Sequence, residues 1–148
     1  MQKRLSELAV GEQLPCSEWF TITQAAIDLF AQATGDHQWI HTDPQRCAKE
    51  SPFHSTIAHG YLSMTLMPQA FYQMLAPEPG ESAMLNYGVD KLRFIEPVRV
   101  NDAIRFVVTL HKVEHKTSGQ LFYFDTTVEI AQREKPAMKG IFLMLVPA

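Results

Sequence analysis

The chain has 148 residues and a formal net charge of −3, with its basic residues scattered along the sequence. This length suits one domain with a single hydrophobic core, which we place at residues 1–148. The charge gives no electrostatic case for binding nucleic acid or an anionic membrane, so neither is expected as a partner.

Two cysteines bear on where the protein works. Cys16 and Cys47 do not form a disulfide framework or the spacing of a metal site, and free thiols favour a reducing compartment. The N-terminus lacks the continuous apolar stretch of a signal peptide, and no segment approaches the ~20 apolar residues that cross a membrane. We therefore expect a soluble cytoplasmic protein.

The first predicted helix begins near Thr21 or Thr23. Thr21 followed by Gln24 fits a capping box, and apolar residues then recur at helical spacing. Gly35 stands where a glycine commonly ends a helix in the left-handed conformation.

A second, shorter helix is predicted after a turn. Asp43 followed by Pro44 is typical of a capping residue and a proline at the first helical position. This helix must stop before Pro52, because the residue that precedes a proline avoids the helical conformation.

The third predicted helix begins around His59 and Gly60 and runs through YLSMTLMPQAFYQML. Its residues are apolar nearly all round, which is typical of a buried helix. Pro68 lies inside it and should kink or divide it, because proline removes a backbone hydrogen bond.

The second half of the chain shows the two-residue alternation of half-buried strands. The pattern is clearest in AIRFVVTLHKV and LFYFDTTVEI, which are separated by a turn signal at Thr117-Ser118-Gly119. GIFLMLV is apolar on both faces and predicts a central strand, LNYGVDKLRFIEPV predicts another, and CSEWFTI predicts an edge strand. One buried helix can cover about four or five such strands, so we predict an α+β protein with an antiparallel sheet wrapped around a long central helix.

The stretch GDHQWIHTDP, residues 35–44, holds the candidate acid/base residues. Asp36 and His41 are five residues apart across a helix end. They do not share a helix face, although a loop can aim both at one point. From spacing alone, an aspartate near a helix end and a surface histidine are the simpler explanation.

A second candidate segment, TIAHGYLSMT, leads into the apolar helix. Free backbone N–H groups at a helix start favour an oxygen that gains negative charge. Gly60 leaves the approach to them open because it has no side chain. Close packing of the helix explains Gly60 equally well.

Together with a third stretch, KLRFIEPV, these two segments resemble a known family. FAQATGDHQWIHTDP, then IAHGY, then KLRFIEPV look like the MaoC-like dehydratases, which include R-specific enoyl-CoA hydratases (hydratase 2) and nodulation protein N-like proteins. The GDHQWIH version looks like the nodulation protein N-like branch, since glutamine and tryptophan stand where asparagine and proline are usual. The residues that match the family motif are Gly35, Asp36, Ile40, His41, His59 and Gly60.

The resemblance implies a hot-dog fold and at least a homodimer, with the acyl sites near the interface. It implies a hydro-lyase that adds water to trans-2-enoyl thioesters and gives (R)-3-hydroxyacyl thioesters. Asp36 and His41 would be the catalytic pair that holds the water, and the Gly60 N–H would donate to the thioester oxygen. The acyl group would arrive on coenzyme A or on acyl carrier protein, and no separate cofactor or metal is implied.

Seven further residues are weaker candidates for substrate binding. Gln38 keeps the amide of the family motif, whereas Trp39 is bulkier than the usual residue and bears on substrate shape. Ordinary helix packing and polarity at a strand edge are the competing explanations for the later positions. The candidates are Gln38, Trp39, His59, Tyr61, Thr65, Asn86 and Arg93.

Three other functions stay open. His37 and His41 are four residues apart, as two metal ligands on a helix would be, but Gly35 and Pro44 argue against a continuous helix there. A hot-dog thioesterase would hydrolyse the thioester, and a non-catalytic acyl-thioester binding protein would bind it without turnover. The aspartate and histidine pair favours hydration over both.

Overall fold

The computed structural model describes residues 2–80 and 83–148, with helices in the first half of the chain and long strands in the second. The elements in chain order are β1 (Lys3–Arg4), a 3-10 turn (Leu5–Glu7), β2 (Phe20–Thr21), α1 (Gln24–Thr34), α2 (Trp39–Thr42), α3 (Pro44–Glu50), α4 (Gly60–Thr65), α5 (Met67–Met74), β3 (Leu75–Ala76), β4 (Leu85–Phe94), β5 (Ala103–Lys116), β6 (Gly119–Ile130) and β7 (Met138–Pro147).

Five strands form one antiparallel sheet in the order β2-β5-β6-β7-β4. The alternation predicted for β5 holds, since every second side chain from Ile104 to Leu110 is buried. The apolar strand β7 lies in the interior of the sheet, as predicted, and the edge strand β2 pairs with β5 over two residues only. A short parallel pair, β1 with β3, was not predicted.

The helix that covers the sheet has two segments. Leu66 separates α4 from α5, and Pro68 lies in the first turn of α5, where a proline is tolerated because its missing N–H would have no helical partner. The aromatic ring of Phe71 packs on Phe124 of β6 with ring centroids 4.7 Å apart, which places the helix on the buried face of the sheet. The α+β hot-dog fold is therefore confirmed, with a divided central helix.

The caps of the first two predicted helices, α1 and α3, differ from expectation at one point. Thr23, whose side chain accepts a hydrogen bond from the Ala26 N–H, caps α1, so the capping box predicted from Thr21 is wrong because Thr21 lies in β2. Gly35 ends α1 with a φ of 81°, as predicted. Asp43 caps α3 by accepting from the Arg46 N–H, also as predicted. The four-residue helix α2 between them was not predicted.

No helix within residues 2–80 and 83–148 combines the length and apolar character needed to cross a membrane.

Candidate active site

Asp36 lies in the turn between α1 and α2. The left-handed conformation of Gly35 ends α1 and reverses the chain. One carboxylate oxygen of Asp36 accepts a hydrogen bond from the Gln38 N–H at 3.3 Å. The Asp36 side chain is 51% exposed, so its carboxylate can reach a bound molecule.

His41 lies on α2 and is only 7% exposed. Its Nδ1 is 2.7 Å from the backbone carbonyl oxygen of Ile57, which can only accept a hydrogen bond. Nδ1 therefore carries a hydrogen, and in the neutral ring Nε2 is the atom left for acid/base chemistry. The Ile57 N–H in turn donates to the Ile40 carbonyl at 3.0 Å, which ties the two motif segments together.

His59, the residue before α4, completes the cluster. It is 3% exposed, and its Nε2 donates to the Asp36 carbonyl oxygen at 3.0 Å and lies 4.0 Å from Asp36 Oδ2. Its ring stacks on that of His41 with centroids 3.9 Å apart and planes 23° apart. One carboxylate oxygen of Asp36 and one ring nitrogen from each of His41 and His59 all lie within 4.8 Å of one another. The structure thus brings the predicted pair together and adds a third residue to it.

Burial of the His41 ring lowers its pKa below the ordinary value near 6.5, because a charged imidazolium is poorly stabilised away from water. The hydrogen bond to the Ile57 carbonyl opposes this, the charge of His59 lowers the pKa further, and the Asp36 charge raises it. The net direction is downward, which favours the neutral ring.

A cavity of about 250 Å³ opens beside His41. Gly60 and Ser63 of α4 form part of its wall, and much of the remainder is apolar. The Gly60 N–H is the first of its helix and has no partner within it. A side chain at Gly60 would come within 2.9 Å of the Phe94 ring, so close packing also favours glycine here.

The weaker candidates are spread over several places. Thr65 and Asn86 line a separate cavity of about 260 Å³ between the helix and the sheet. Trp39 stacks under the Arg46 guanidinium, whose carbon is 4.0 Å from the ring centroid. The side chains of Gln38, Tyr61 and Arg93 are exposed. Within the described parts of the chain, the His41 cavity is not lined by these three residues or by Trp39.

Two residues of the site were not predicted from the sequence. Ser63 follows Gly60 by three positions and His59 by four, so helical spacing was a signal that it shares their face. Phe94 comes from β4, and its contact with Gly60 depends on the packing of the sheet against the helix. His37, the other half of the metal alternative, is exposed and is not part of the Asp36, His41 and His59 group.

An antiparallel sheet wrapped around a divided helix, with an aspartate and a histidine beside the helix start, defines a hot-dog protein with a candidate acid/base site. The chain belongs to the MaoC-like family, because the family model for the "MaoC like domain" matches residues 6–132. The predicted family membership is confirmed.

Curated relatives share most of their length with this chain. It is 45% identical over 130 residues to 3-hydroxyacyl-thioester dehydratase Z of Mycobacterium tuberculosis, and the aligned region covers 87% of this chain and 85% of that protein. It is 42% identical over 138 residues to Nodulation protein N of Rhizobium meliloti, covering 92% and 85%. Among solved structures, R-hydratase PhaJ1 from Pseudomonas aeruginosa has a TM-score of 0.78 at 27% identity, covering 99% of this chain and 86% of that one.

Proposed function

We propose that this protein is a hydro-lyase that reversibly adds water to trans-2-enoyl thioesters and forms (R)-3-hydroxyacyl thioesters. The observation that carries the proposal is the proximity of Asp36 and His41 beside a cavity in a hot-dog fold. The similarity to a 3-hydroxyacyl-thioester dehydratase and to an R-hydratase supports the same reaction class.

The reaction needs three groups. In a trans-2-enoyl thioester the double bond is conjugated to the carbonyl, so C3 is electrophilic and accepts the hydroxyl of water. The remaining proton of the water goes to C2, and the carbonyl oxygen carries negative charge in between. The enzyme must therefore activate the water, deliver a proton and stabilise that oxygen.

Asp36 and His41 hold and activate the water. The His41 Nδ1–H is engaged by the Ile57 carbonyl, which leaves Nε2 to exchange a proton, and the Asp36 carboxylate is an acceptor nearby. The two groups share the acid and base roles. The lowered pKa of His41 keeps a proton-accepting ring available near neutral pH.

The Gly60 N–H is the proposed donor to the thioester oxygen. It belongs to the first residue of α4 and borders the same cavity as His41. The buried Ser63 hydroxyl, which has no hydrogen-bond partner within residues 2–80 and 83–148, belongs to the same wall and gives this end of the cavity a second polar group.

The candidate binding site for the acyl chain is the cavity lined by Thr65 and Asn86. Its wall includes Met64, Met67 and Met144. Methionine side chains are flexible and adapt to irregular apolar ligands. We propose that this cavity receives the acyl chain, whose carrier is coenzyme A or acyl carrier protein.

The proposed chemistry uses no separate cofactor or metal, because the carrier enters as part of the substrate. His41 Nδ1 and His59 Nε2 both donate to backbone carbonyl oxygens, so these two nitrogens are engaged in hydrogen bonds and do not face an ion. Activity that survives dialysis against a chelator would support this mechanism, and loss restored by a divalent ion would contradict it.

We also propose that the protein forms a homo-oligomer and works in a reducing compartment. The edge strand β4 is long and carries exposed apolar side chains, which favours a homodimer or a larger homo-oligomer. The two free cysteines, of which Cys47 is buried, favour a reducing compartment such as the cytoplasm.

The test uses three variants and two substrates. Asp36→Asn and His41→Ala are assayed with crotonyl-CoA and with a longer enoyl-CoA, and each should lose roughly 10²–10⁴ in turnover, as general acid/base groups do. His37→Gln is the matched control, because His37 lies in the same turn with an exposed side chain. Near-parental activity of both site variants would refute the assignment.

The same assays separate the alternative functions. Loss of the enoyl absorbance without release of free thiol indicates hydration, whereas release of free thiol indicates a thioesterase. Tight binding without either change indicates a non-catalytic acyl-thioester binding protein.

A further inference from the structure

His59 contacts both members of the proposed catalytic pair. Its Nε2–H donates to the backbone carbonyl of Asp36 at 3.0 Å, and its ring stacks on His41 at 3.9 Å. The aromatic ring of Phe30 from α1 also packs against it, with centroids 4.8 Å apart. His59 therefore adds contacts from the start of α4 to α1, to the Asp36 turn and to α2.

The burial of His59 argues against direct contact with substrate. The side chain is 3% exposed, and it is not among the residues that line the His41 cavity within the described parts of the chain. It does not cap α4 either, although it occupies the capping position. An imidazole is costly to bury without a partner, so a fully enclosed one needs a defined role in packing or hydrogen bonding.

The hydrogen bond also fixes where the ring carries its proton. A carbonyl oxygen only accepts, so in the neutral ring the hydrogen lies on Nε2. Nδ1 is buried and has no hydrogen-bond partner within residues 2–80 and 83–148. Nε2 also lies 4.0 Å from Asp36 Oδ2, which is beyond hydrogen-bond distance, so its N–H orients the turn that carries the carboxylate.

We propose that His59 is a positioning residue that sets the separation and orientation of Asp36 and His41 without touching the substrate. The role rests on the proposed hydratase function, because only there does this separation matter. Displacing a catalytic group by about 1 Å is enough to lower turnover about 100-fold. Substrate binding should change little, because His59 is not among the described residues that line the His41 cavity.

Two substitutions separate the two contacts. His59→Gln keeps an N–H near the place of Nε2 but loses the stacked ring, and His59→Phe keeps a stacked ring but loses the N–H. We expect His59→Phe to lower kcat about 10- to 100-fold with KM within about threefold of the parent, and His59→Gln to recover part of that loss. His37→Gln, a change of the same chemistry at an exposed histidine, should match the parent.

Nuclear magnetic resonance tests the proposal without activity. In ¹⁵N-histidine-labelled protein, the signal lost in His59→Gln should show the Nε2–H tautomer in the parent. The His41 signals should shift in both variants.

Each outcome decides something. A rise in KM at unchanged kcat would make His59 a substrate contact, and parental kinetics in both variants would remove any role in the reaction. An Nδ1–H tautomer, or His41 signals indifferent to His59, would also overturn the proposal. A parent that hydrates no enoyl thioester would refute the proposed function, while the resonance measurements would still decide whether His59 positions Asp36 and His41.

Discussion

The rings of His41 and His59 lie face to face, 3.9 Å between centroids, and each ring bonds to the backbone of a different segment. His41 Nδ1 donates to Ile57 just before α4, and His59 Nε2 donates back to Asp36 in the turn before α2. The two motif segments are thus bonded in both directions. Both rings are therefore held in buried, hydrogen-bonded positions.

Stability should depend on the protonation of His41. Burial, more than any other cause, holds the pKa of His41 below its ordinary value near 6.5 in the folded protein, while Asp36 and His59 face the ring with opposing effects. The unfolded chain therefore binds more protons than the folded one at mildly acidic pH. The stability contributed by neutral His41 is complete above the unfolded pKa near 6.5 and is lost as the pH falls through the lower folded value.

Chemical denaturation at a series of pH values, from about pH 7 to about pH 5, checks this dependence. The free energy of unfolding of the parent should fall more steeply with acidification than that of His41→Gln, by at most about 1.4 kcal/mol per pH unit for one proton. His37→Gln, which removes an exposed histidine, should keep the parental slope. Equal slopes in the parent and His41→Gln would mean that His41 titrates alike in the folded and unfolded chain.

Ser63 and Ser17 should respond in opposite directions to the same substitution. The buried Ser63 hydroxyl has no partner within residues 2–80 and 83–148, whereas the Ser17 hydroxyl donates to the Glu18 carbonyl at 2.8 Å and accepts from the Phe106 N–H at 2.9 Å. Ser63→Ala should raise the free energy of unfolding by about 1 kcal/mol, and Ser17→Ala should lower it by about 1–3 kcal/mol. Urea denaturation of both variants measures the difference, and a loss of stability in Ser63→Ala would show that its hydroxyl is satisfied in solution.

How far the sequence predicted the fold depended on whether a signal was local. The alternation of β5 and β6 and the caps at Gly35 and Asp43 are set by nearby residues, and these predictions were confirmed. The break at Leu66 comes two residues before Pro68, because a proline fits the first turn of the following helix. The proline therefore marked the division of the helix without fixing its exact place.

The site shows the same limit more sharply. Asp36 and His41 were chosen from a motif, but their five-residue spacing does not reveal that they meet. The meeting depends on α2, a single helical turn, and on His59, which comes from a segment 23 residues after Asp36. The stacking of His41 on His59 is a tertiary contact, so residue type and spacing carried no signal for it.

Gly60→Ala should destabilise the protein through one contact. The new methyl carbon would lie 2.9 Å from the Phe94 ring, which must move aside. Overpacking of this kind costs about 1–3 kcal/mol, and we expect the lower half of the range because Phe94 is partly exposed and free to shift. In a Phe94→Ala background the same substitution should cost less, because the clash is gone. A cost that is equal in both backgrounds would place the strain in the backbone of α4 instead.

Tyr87→Lys should dissociate the proposed dimer. Among the described strands β4 pairs with β7 only, so its other edge presents free backbone groups, and its Tyr87 side chain is 53% exposed. A long apolar edge strand is a template for pairing with another chain, and a lysine on that edge opposes it. Sedimentation velocity of the parent should show a dimer or a larger oligomer, and the variant should shift towards the monomer.

Leu29→Lys is the matched control for that experiment. Leu29 is an exposed apolar residue of α1, and the same change there should leave the sedimentation coefficient at the parental value. If both variants dissociate, added charge acts without regard to place. If the parent is a monomer, or if Tyr87→Lys keeps the parental mass, the β4 edge is not the interface. In that case no second copy bound at this edge shields the half-exposed carboxylate of Asp36.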